Sequence, residues 1–300
     1  MLMQDARPDS FEQTGKAGAL LNAMSVDIED WFQVGAFETV IDRANWKSLD
    51  CRVEQNTDRV LSLFENAGIK ATFFTLAWVA ERYPALMRRI VEAGHEIASH
   101  GYDHARVYTM TADQFRDDLD KSRKILEDTS GQAVTGYRAP SFSIDERTPW
   151  AHEILAEQGY SYSSSVAPIR HDHYGWPDSP RFAWRPVSAS RLVELPVTTV
   201  KMLGRNFAAG GGGFFRLLPY WLYKAAIGKM QKADGRGAIF YFHPWEVDPK
   251  QPRVADAPLK SKVRHYTNLE VMEAKLARVA SELKWGRFDE LAALESELMP

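Results

Sequence analysis

The chain has 300 residues, of which 45% are hydrophobic, 12% aromatic and 26% charged, a composition typical of globular proteins and not of disordered or collagenous chains. Its 37 basic and 40 acidic side chains give a net charge of −3, which argues against nucleic acid as a partner. Cys51 is the one cysteine, so an intramolecular disulfide and a multi-cysteine zinc site are both excluded. Any metal site must therefore use histidines and carboxylates.

Residues 1–18 are polar and lack hydrophobic periodicity, so we expect a flexible N-terminal tail. A single domain is expected over residues 19–300, including a C-terminal helical extension over about residues 250–300. No run resembles a signal peptide or a transmembrane segment, and the sequence therefore predicts a cytoplasmic protein. Nothing in the sequence indicates the oligomeric state.

Short apolar runs alternate with amphipathic stretches up to about Phe242, a pattern that predicts strand–helix units around a parallel sheet, an α/β fold. The predicted strands are Leu20–Asp27, Ala71–Leu76, Glu96–Ser99, Val134–Tyr137, Tyr160–Ser163, Leu192–Val197 and Ala238–His243. The predicted helices are Glu54–Asn66, Ala80–Ala93, Ala112–Thr129, Glu146–Gln158, Leu218–Ala233 and Glu270–Leu283. Seven strands fit either a barrel or a twisted open sheet, and their spacing does not separate the two.

Three carboxylates, Asp27, Glu29 and Asp30, stand at the end of the first predicted strand. Strand ends are where α/β folds place their sites. A helix N-cap or a solvated turn explains the same acids equally well. The motif alone leaves both interpretations open.

His100 and His104 directly follow the third predicted strand. Their i, i+4 spacing can put two imidazoles on one face of a helical turn, where both could bind one cation. A hydrogen-bonded turn with exposed histidines is the alternative. A carboxylate from another strand end would complete a two-histidine, one-carboxylate metal site.

Two further motifs follow predicted strands. Arg138 precedes a proline turn and could hold a carboxylate ionised and oriented. His243 ends an aromatic strand and has the side chain that a general acid requires. Each residue has an ordinary structural explanation when taken alone. However, all four motifs lie at carboxyl ends of predicted strands, so they are expected to meet at one mouth of the fold.

With these motifs, the chain resembles the polysaccharide deacetylases of carbohydrate esterase family 4. The stretches Val26–Trp31, Gly136–Ser143, Gly211–Pro219 and Phe242–Pro249 are most similar to deacetylases associated with exosortase and exopolysaccharide gene systems. The resemblance covers roughly residues 20–295. It implies a distorted (β/α)7 barrel with its active site at the C-terminal ends of the strands, and a divalent metal, usually zinc.

The resemblance also implies roles for individual residues. Asp27 matches the catalytic base, Arg138 the residue that orients the base, and His243 the general acid. His100 and His104 match the metal-binding imidazoles. The expected substrate-binding residues are Ser141, through a backbone N–H for the oxyanion, and Trp245, through ring stacking on a sugar.

The chain departs from the family pattern in three places. An adjacent pair of aspartates is replaced by Asp27-Ile28-Glu29-Asp30, so the carboxylate ligand is either Glu29, which is favoured, or Asp30. Ser141 stands where a tyrosine is usual, and Ser163 where the similar deacetylases usually have aspartate. The glycine run Gly210–Gly213 is expected to be a substrate loop or a flexible turn.

The resulting prediction is a metal-dependent hydrolase of amide bonds. It would remove N-acetyl groups from hexosamine units of a polysaccharide, specifically an exopolysaccharide, or of its precursor. Zn²⁺ is the expected cofactor, although other divalent transition metals could serve, and the expected partner is an N-acetylated glycan. Two alternatives are an amide hydrolase of the same fold acting on a small cyclic ureide or imide, and a noncatalytic glycan-binding barrel.

Overall fold

A computed structural model describes residues 20–171 and 174–299, so the predicted tail, residues 1–18, lies outside the described residues. The strands are β1 (Asn22–Ile28), β2 (Thr72–Thr75), β3 (Glu96–Ser99), β4 (Gly136–Tyr137), β5 (Tyr162–Ser163), β6 (Val193–Glu194), β7 (Thr199–Met202), β8 (Arg205–Ala208), β9 (Ile239–Phe242) and β10 (Trp285–Gly286). The helices are α1 (Val53–Ala67), α2 (Ala77–Arg82), α3 (Pro84–Glu92), α4 (Ala112–Ser130), α5 (Ala151–Glu157), α6 (Gly212–Leu217), α7 (Tyr220–Asp234), α8 (Leu259–Tyr266), α9 (Leu269–Glu282) and α10 (Phe288–Leu298). Short 3-10 helices occupy Arg43–Ser48, Val107–Thr109, Pro140–Phe142 and Pro244–Val247.

Seven parallel strands form one curled sheet in the order β9-β1-β2-β3-β4-β5-β6. Strand β10 pairs with the first two residues of β1. Irregular backbone continues the ring from β6 back to β9, where Thr198 O accepts the Gly210 N–H at 3.0 Å and Gly210 O accepts the Tyr241 N–H at 2.8 Å. The edge of β9 is therefore covered, and the predicted α/β fold with a distorted seven-stranded barrel is confirmed.

Large side chains fill the inside of the barrel. Phe288, the first residue of α10, packs edge-on against Phe74 with ring centroids 5.2 Å apart and lies 6.1 Å from the Tyr162 ring. Its backbone N–H donates to Thr72 Oγ1 at 2.8 Å. The last helix therefore closes the end of the barrel where the strands begin, and the end where they finish remains for the site.

All seven predicted strands of the sheet are present. Glu96–Ser99 has the predicted bounds, the first strand ends one residue later than predicted, at Ile28, and the other five are shorter. The helix predicted at 80–93 is two helices, α2 and α3, because Pro84 cannot continue a helix and disfavours helical backbone at Tyr83. The helix predicted at 146–158 begins at Ala151, after the turn that contains Pro149. The β7–β8 hairpin was not expected. No helix within the described ranges has both the length and the apolarity that crossing a bilayer requires.

Glu96, at the start of β3, is a buried acid near the closed end of the barrel. Its carboxylate accepts hydrogen bonds from Tyr162 Oη at 2.7 Å, from the Asp289 N–H at 3.2 Å and from Thr72 Oγ1. Burial, aided by repulsion from Asp289, raises the pKa of Glu96 from 4.5 to about 7, although the hydrogen bonds oppose this rise.

We predict that Glu96 makes the folded protein less stable as the pH rises. Between pH 4.5 and about 7 the folded protein retains a proton that the unfolded chain has released, so the free energy of unfolding falls across this window. Glu96→Gln should remove roughly 1–3 kcal/mol of that fall, measured by urea denaturation at several pH values. Glu65→Gln, on the exposed side of α1, is the control. An unchanged pH slope in Glu96→Gln would contradict the prediction.

Candidate active site

The carboxyl ends of β1, β3, β4 and β9 surround one cavity of about 480 Å³. Seven of the nine catalytic, metal-binding and substrate-binding residues expected from the sequence line it, namely Asp27, Glu29, His100, His104, Ser141, His243 and Trp245, whereas Asp30 and Arg138 do not. Asp27 lies in β1 and Glu29 directly follows its last residue, where the Glu29 N–H donates to Asp27 O at 3.0 Å, and both residues line the cavity. The sheet order explains the grouping, because β9, β1, β2, β3 and β4 are consecutive neighbours.

Glu29, His100 and His104 form the group that could hold a metal ion. One ligand atom from each lies within 4.8 Å of the other two, and all three side chains are buried. His104 Nε2 lies 2.9 Å from Glu29 Oε2. That carboxylate oxygen is buried and has no hydrogen-bond donor among the described residues. Two imidazoles and a carboxylate are a donor set for a divalent transition metal, so these residues fit such an ion.

The protonation states suit metal binding. His100 Nδ1 lies 2.8 Å from the carbonyl oxygen of Arg138, and since a carbonyl only accepts, Nδ1 carries the proton and Nε2 has the free lone pair. Burial lowers the pKa of His100 to about 4. Burial would raise the pKa of Glu29, but His104 and His243 outweigh it and lower the pKa to about 2. A neutral imidazole and an ionised carboxylate are the forms that bind metals.

Asp30 has a different position from Glu29. Its Oδ1 accepts the Trp31 N–H at 2.8 Å, and its Oδ2 accepts the N–H groups of Arg52 at 2.6 Å and Val53 at 2.9 Å. These last two donors lie at the start of α1, which has no side-chain cap of its own. Asp30 therefore caps a helix from a distance. Of the two carboxylates that the sequence leaves open, the structure groups Glu29 with the histidines and not Asp30.

A buried ion pair stands beside this group. Arg138 Nη1 donates to Asp27 Oδ1 at 2.5 Å and to Ser25 Oγ at 2.8 Å. Its Nη2 donates to Ser164 Oγ at 3.1 Å and its Nε to Ser164 O at 3.2 Å. The Arg138 side chain is fully buried, so every contact it makes is with protein. Arg138 thus contacts only one carboxylate oxygen of Asp27. Asp27 is not among the three residues that could hold a metal ion.

His243 faces the group from β9. Its Nε2 lies 3.2 Å from Glu29 Oε1 and its Nδ1 lies 2.9 Å from Glu246 Oε1. Burial would lower the pKa of His243, but the two glutamates outweigh it and raise the pKa to about 9. The imidazolium form therefore predominates at neutral pH, and the ring can deliver a proton.

Glu246 and Arg216, to which the sequence assigned no role, support His243. Arg216 Nε donates to Glu246 Oε2 at 2.7 Å, and both side chains are buried. Glu246 Oε1 also accepts the backbone N–H of His243 at 3.1 Å. An acid three residues after a strand end is the spacing of a capping box, and that signal could have found Glu246.

Close packing explains at least part of the glycine run Gly210–Gly213. A Cβ atom added at Gly212 would lie 2.4 Å from Glu246 Oε1, whereas one added at Gly213 would meet nothing within 4 Å. Gly212 is therefore needed for the approach of Glu246, which differs from the substrate loop or flexible turn expected above.

Ser141 and Trp245 both reach the cavity. Ser141 and the following Phe142 have φ values of +55° and +50°, a left-handed conformation that is uncommon outside glycine and frequent at functional sites. The Trp245 ring stacks on the His243 ring at 5.1 Å and on the His265 ring at 4.0 Å. Its buried indole N–H has no hydrogen-bond partner among the described residues. Ser163 does not line the cavity and donates to Ser165 Oγ at 2.8 Å.

Two family models match the chain. Residues 42–163 match polysaccharide deacetylase, and residues 164–293 match a domain of unknown function (DUF3473). The chain is 37% identical over 113 residues to a peptidoglycan deacetylase of Helicobacter pylori, which covers 38% of each chain. It is 33% identical over 98 residues to a peptidoglycan-N-acetylglucosamine deacetylase of Bacillus cereus, which covers 32% of this chain and 36% of the relative. The chain thus spans less than two fifths of the length of these relatives.

Solved structures share the fold. A Mycobacterium smegmatis protein assigned to the polysaccharide deacetylases matches with a TM-score of 0.63 and 21% identity, over 100% of this chain and 97% of that one. Puue allantoinase matches with a TM-score of 0.57 and 16% identity, over 96% and 97%. The family model and the curated relatives show that the first half of the chain is similar to polysaccharide deacetylases. The deacetylase match contains His100, His104 and Arg138, whereas His243 lies in the second match.

We predict that the two neighbouring carboxylates respond differently to substitution. Glu29→Gln should weaken Zn²⁺ binding at least about tenfold, because it removes the negative ligand between the histidines. Asp30→Asn is the matched control and should leave Zn²⁺ affinity unchanged while lowering the free energy of unfolding by about 1–2 kcal/mol, since an amide N–H would face the donors of α1. Calorimetric titration and urea denaturation measure the two quantities. The reverse pattern would assign the metal site to Asp30.

Proposed function

We propose that the protein is a metal-dependent N-deacetylase that hydrolyses acetyl groups of hexosamine units in a polysaccharide or its precursor. One observation carries this proposal. A single cavity brings together the group Glu29, His100 and His104, the Asp27–Arg138 ion pair and the His243–Glu246 pair. Amide hydrolysis requires these three functions, namely an electrophilic centre, a base for the attacking water and an acid for the departing amine. The deacetylase family supports an N-acetylated glycan as the substrate class.

In this reaction each of these side chains has a specific role. When bound, a divalent cation lowers the pKa of a coordinated water and polarises the acetyl carbonyl. Asp27 accepts the proton of the attacking water, and Arg138 orients this carboxylate while occupying only one of its oxygens. A backbone N–H beside Ser141 stabilises the negative charge that develops on the acetyl oxygen. His243 gives its proton to the amine as the C–N bond breaks.

Zn²⁺ is the proposed ion, because two imidazoles and a carboxylate leave an open coordination position of the kind catalytic zinc sites have. An exopolysaccharide is the proposed polymer, on the resemblance of the motifs around Asp27 and His243 to deacetylases of exopolysaccharide systems. Trp245 is proposed to contact the sugar through the part of its ring that lines the cavity, and not by the ring stacking expected from the sequence, because His243 and His265 already stack on that ring. The cytoplasmic location stays a prediction from the sequence.

Acetate release tests the proposal directly. The full chain, stripped of metal and then reloaded with Zn²⁺, should release acetate from N-acetylglucosamine oligomers only when reloaded. Ring opening of allantoin or hydantoin without acetate release would replace the proposal with an amide hydrolase of small cyclic compounds. Glycan affinity without turnover, measured by calorimetry, would instead indicate a noncatalytic binding barrel.

We predict that Asp27→Asn shows whether Asp27 acts as the catalytic base or as a metal ligand. The amide fills the same space and still accepts a hydrogen bond from Arg138, but it cannot take a proton, so turnover should fall by about 10²–10⁴ with Zn²⁺ affinity retained. Urea denaturation accompanies the assay, because replacing one charge of a buried pair also costs stability. Loss of Zn²⁺ from a folded Asp27→Asn protein would make Asp27 a ligand and refute the assignment.

A second prediction concerns the support of His243. Gly212→Ala should displace Glu246 and lower turnover by about tenfold or more with Zn²⁺ affinity unchanged, since the new methyl group would overlap the carboxylate. Gly213→Ala, the adjacent glycine of α6 with open space around it, should be neutral. Steady-state kinetics on both variants provides the comparison. Equal activity of the two would show that the position of Glu246 does not affect the reaction.

A further inference from the structure

Six large apolar side chains are exposed on three helices that follow one another in the chain, of which the last, α8, borders the cavity. Phe214 and Leu217 lie on α6, Trp221 and Leu222 begin α7, and Leu259 and Val263 lie one turn apart on α8. We call these six residues the apolar rim. Trp221 and Leu259 are 70% and 77% exposed. So many large apolar groups close together on a surface usually mark a place of interaction.

The parts of the apolar rim are held together by hydrogen bonds. Arg216, between Phe214 and Leu217, donates to the carbonyl oxygens of Arg264 at 3.0 Å, His265 at 3.0 Å and Thr267 at 2.6 Å. These carbonyls belong to the last residues of α8 and to the residue after it, so the C-terminal end of α8 is hydrogen-bonded to α6. Lys275 Nζ donates to Leu218 O at 2.7 Å and ties the turn between α6 and α7 to α9.

The rim borders the cavity through α8. Lys260, Ser261 and Arg264 line the cavity, whereas Leu259 and Val263, each one residue before a cavity-lining cation, are exposed beside them. Successive helical residues are separated by about 100°, so the apolar ridge runs next to the cavity-facing ridge. A surface that covered the rim would therefore lie beside the mouth of the site.

The charged residues near the apolar rim in the sequence indicate which kind of partner would cover it. Between Glu194 and Asp234 the sequence has no acidic residue but six basic ones, and between Asp256 and Glu270 it has three basic residues and again no acid. Apart from Arg216, which is buried against Glu246, most of these cations are exposed, in a chain whose net charge is −3. Exposed leucine, phenylalanine and tryptophan on segments that carry lysine and arginine but no acid have the composition of surfaces that bind anionic bilayers, although Lys224 is paired with Glu282 at 2.6 Å.

We propose that the protein docks peripherally on an anionic lipid bilayer through the apolar rim, with the surrounding lysines and arginines facing the lipid headgroups. The rim side chains enter the boundary between headgroups and acyl chains, and the mouth of the cavity comes to lie at the membrane surface. This binding is independent of catalysis and of metal occupancy.

Vesicle sedimentation with the full chain tests the proposal. Binding is expected to vesicles of phosphatidylcholine mixed with phosphatidylglycerol, to be weak with phosphatidylcholine alone, and to fall at high salt. The double variant Leu259→Ser, Val263→Ser should bind about tenfold less. Leu294→Ser, Leu298→Ser is the matched control, because these leucines are also one turn apart and exposed, but lie on α10 at the closed end of the barrel. The control should bind like the unchanged protein.

Trp221 supplies an independent readout. Its fluorescence should shift to the blue on mixing with the anionic vesicles, and Trp221→Phe should lose this shift without loss of binding. Absence of binding by the unchanged protein, or equal binding by the rim and control variants, overturns the proposal. Concentration-dependent dimerisation that the rim variant abolishes, without vesicle binding, would overturn it in favour of a contact between two copies of the chain.

Discussion

The buried Arg138 side chain is the constraint on which the site depends. An unpaired guanidinium inside a barrel would be very costly, so Asp27 must stay in place as its partner. Ser25 Oγ and the two oxygens of Ser164 take the remaining hydrogen bonds, and the guanidinium carbon lies 3.9 Å from the centre of the Phe74 ring. One side chain thus joins β1, β2 and the end of β5. Removing either charge would leave the other uncompensated, at about 3–5 kcal/mol.

The backbone of the same residue orients the metal group. The Arg138 carbonyl fixes the tautomer of His100, while the Arg138 side chain fixes Asp27. A shift of β4 would therefore disturb Asp27, the proposed base, and His100 of the candidate metal site together. The loop after β5 is secured by Glu194, whose Oε1 accepts the N–H groups of Ser165 at 2.8 Å and Val166 at 2.9 Å. Residues that touch no substrate thus set the geometry of those that would.

The strand ends and their motifs could be predicted from the sequence, because apolar runs followed by polar residues indicate the carboxyl end of a parallel strand. The choice between Glu29 and Asp30 could also have been made, since Glu29 has the same parity as Asp27 along the strand and Asp30 has the opposite one. The contact of Arg216 with Glu246 could not have been predicted. The two residues are 30 positions apart, and their contact depends on the space that Gly212 leaves for the Glu246 carboxylate. The β7–β8 hairpin was missed because its turn places Leu203, a residue that rarely adopts positive φ, before Gly204.

Arg216 links the His243–Glu246 pair to helix α8. Its Nε holds Glu246 and thereby the ring of His243, while its two terminal nitrogens hold the last carbonyls of α8. The guanidinium is planar and rigid, so these contacts have a fixed mutual geometry that a lysine could not reproduce. A displacement of α8 must therefore either break hydrogen bonds to a buried charge or carry Glu246 with it. The position of the helix that borders the cavity and the orientation of the proton-donating imidazole are consequently determined by one side chain.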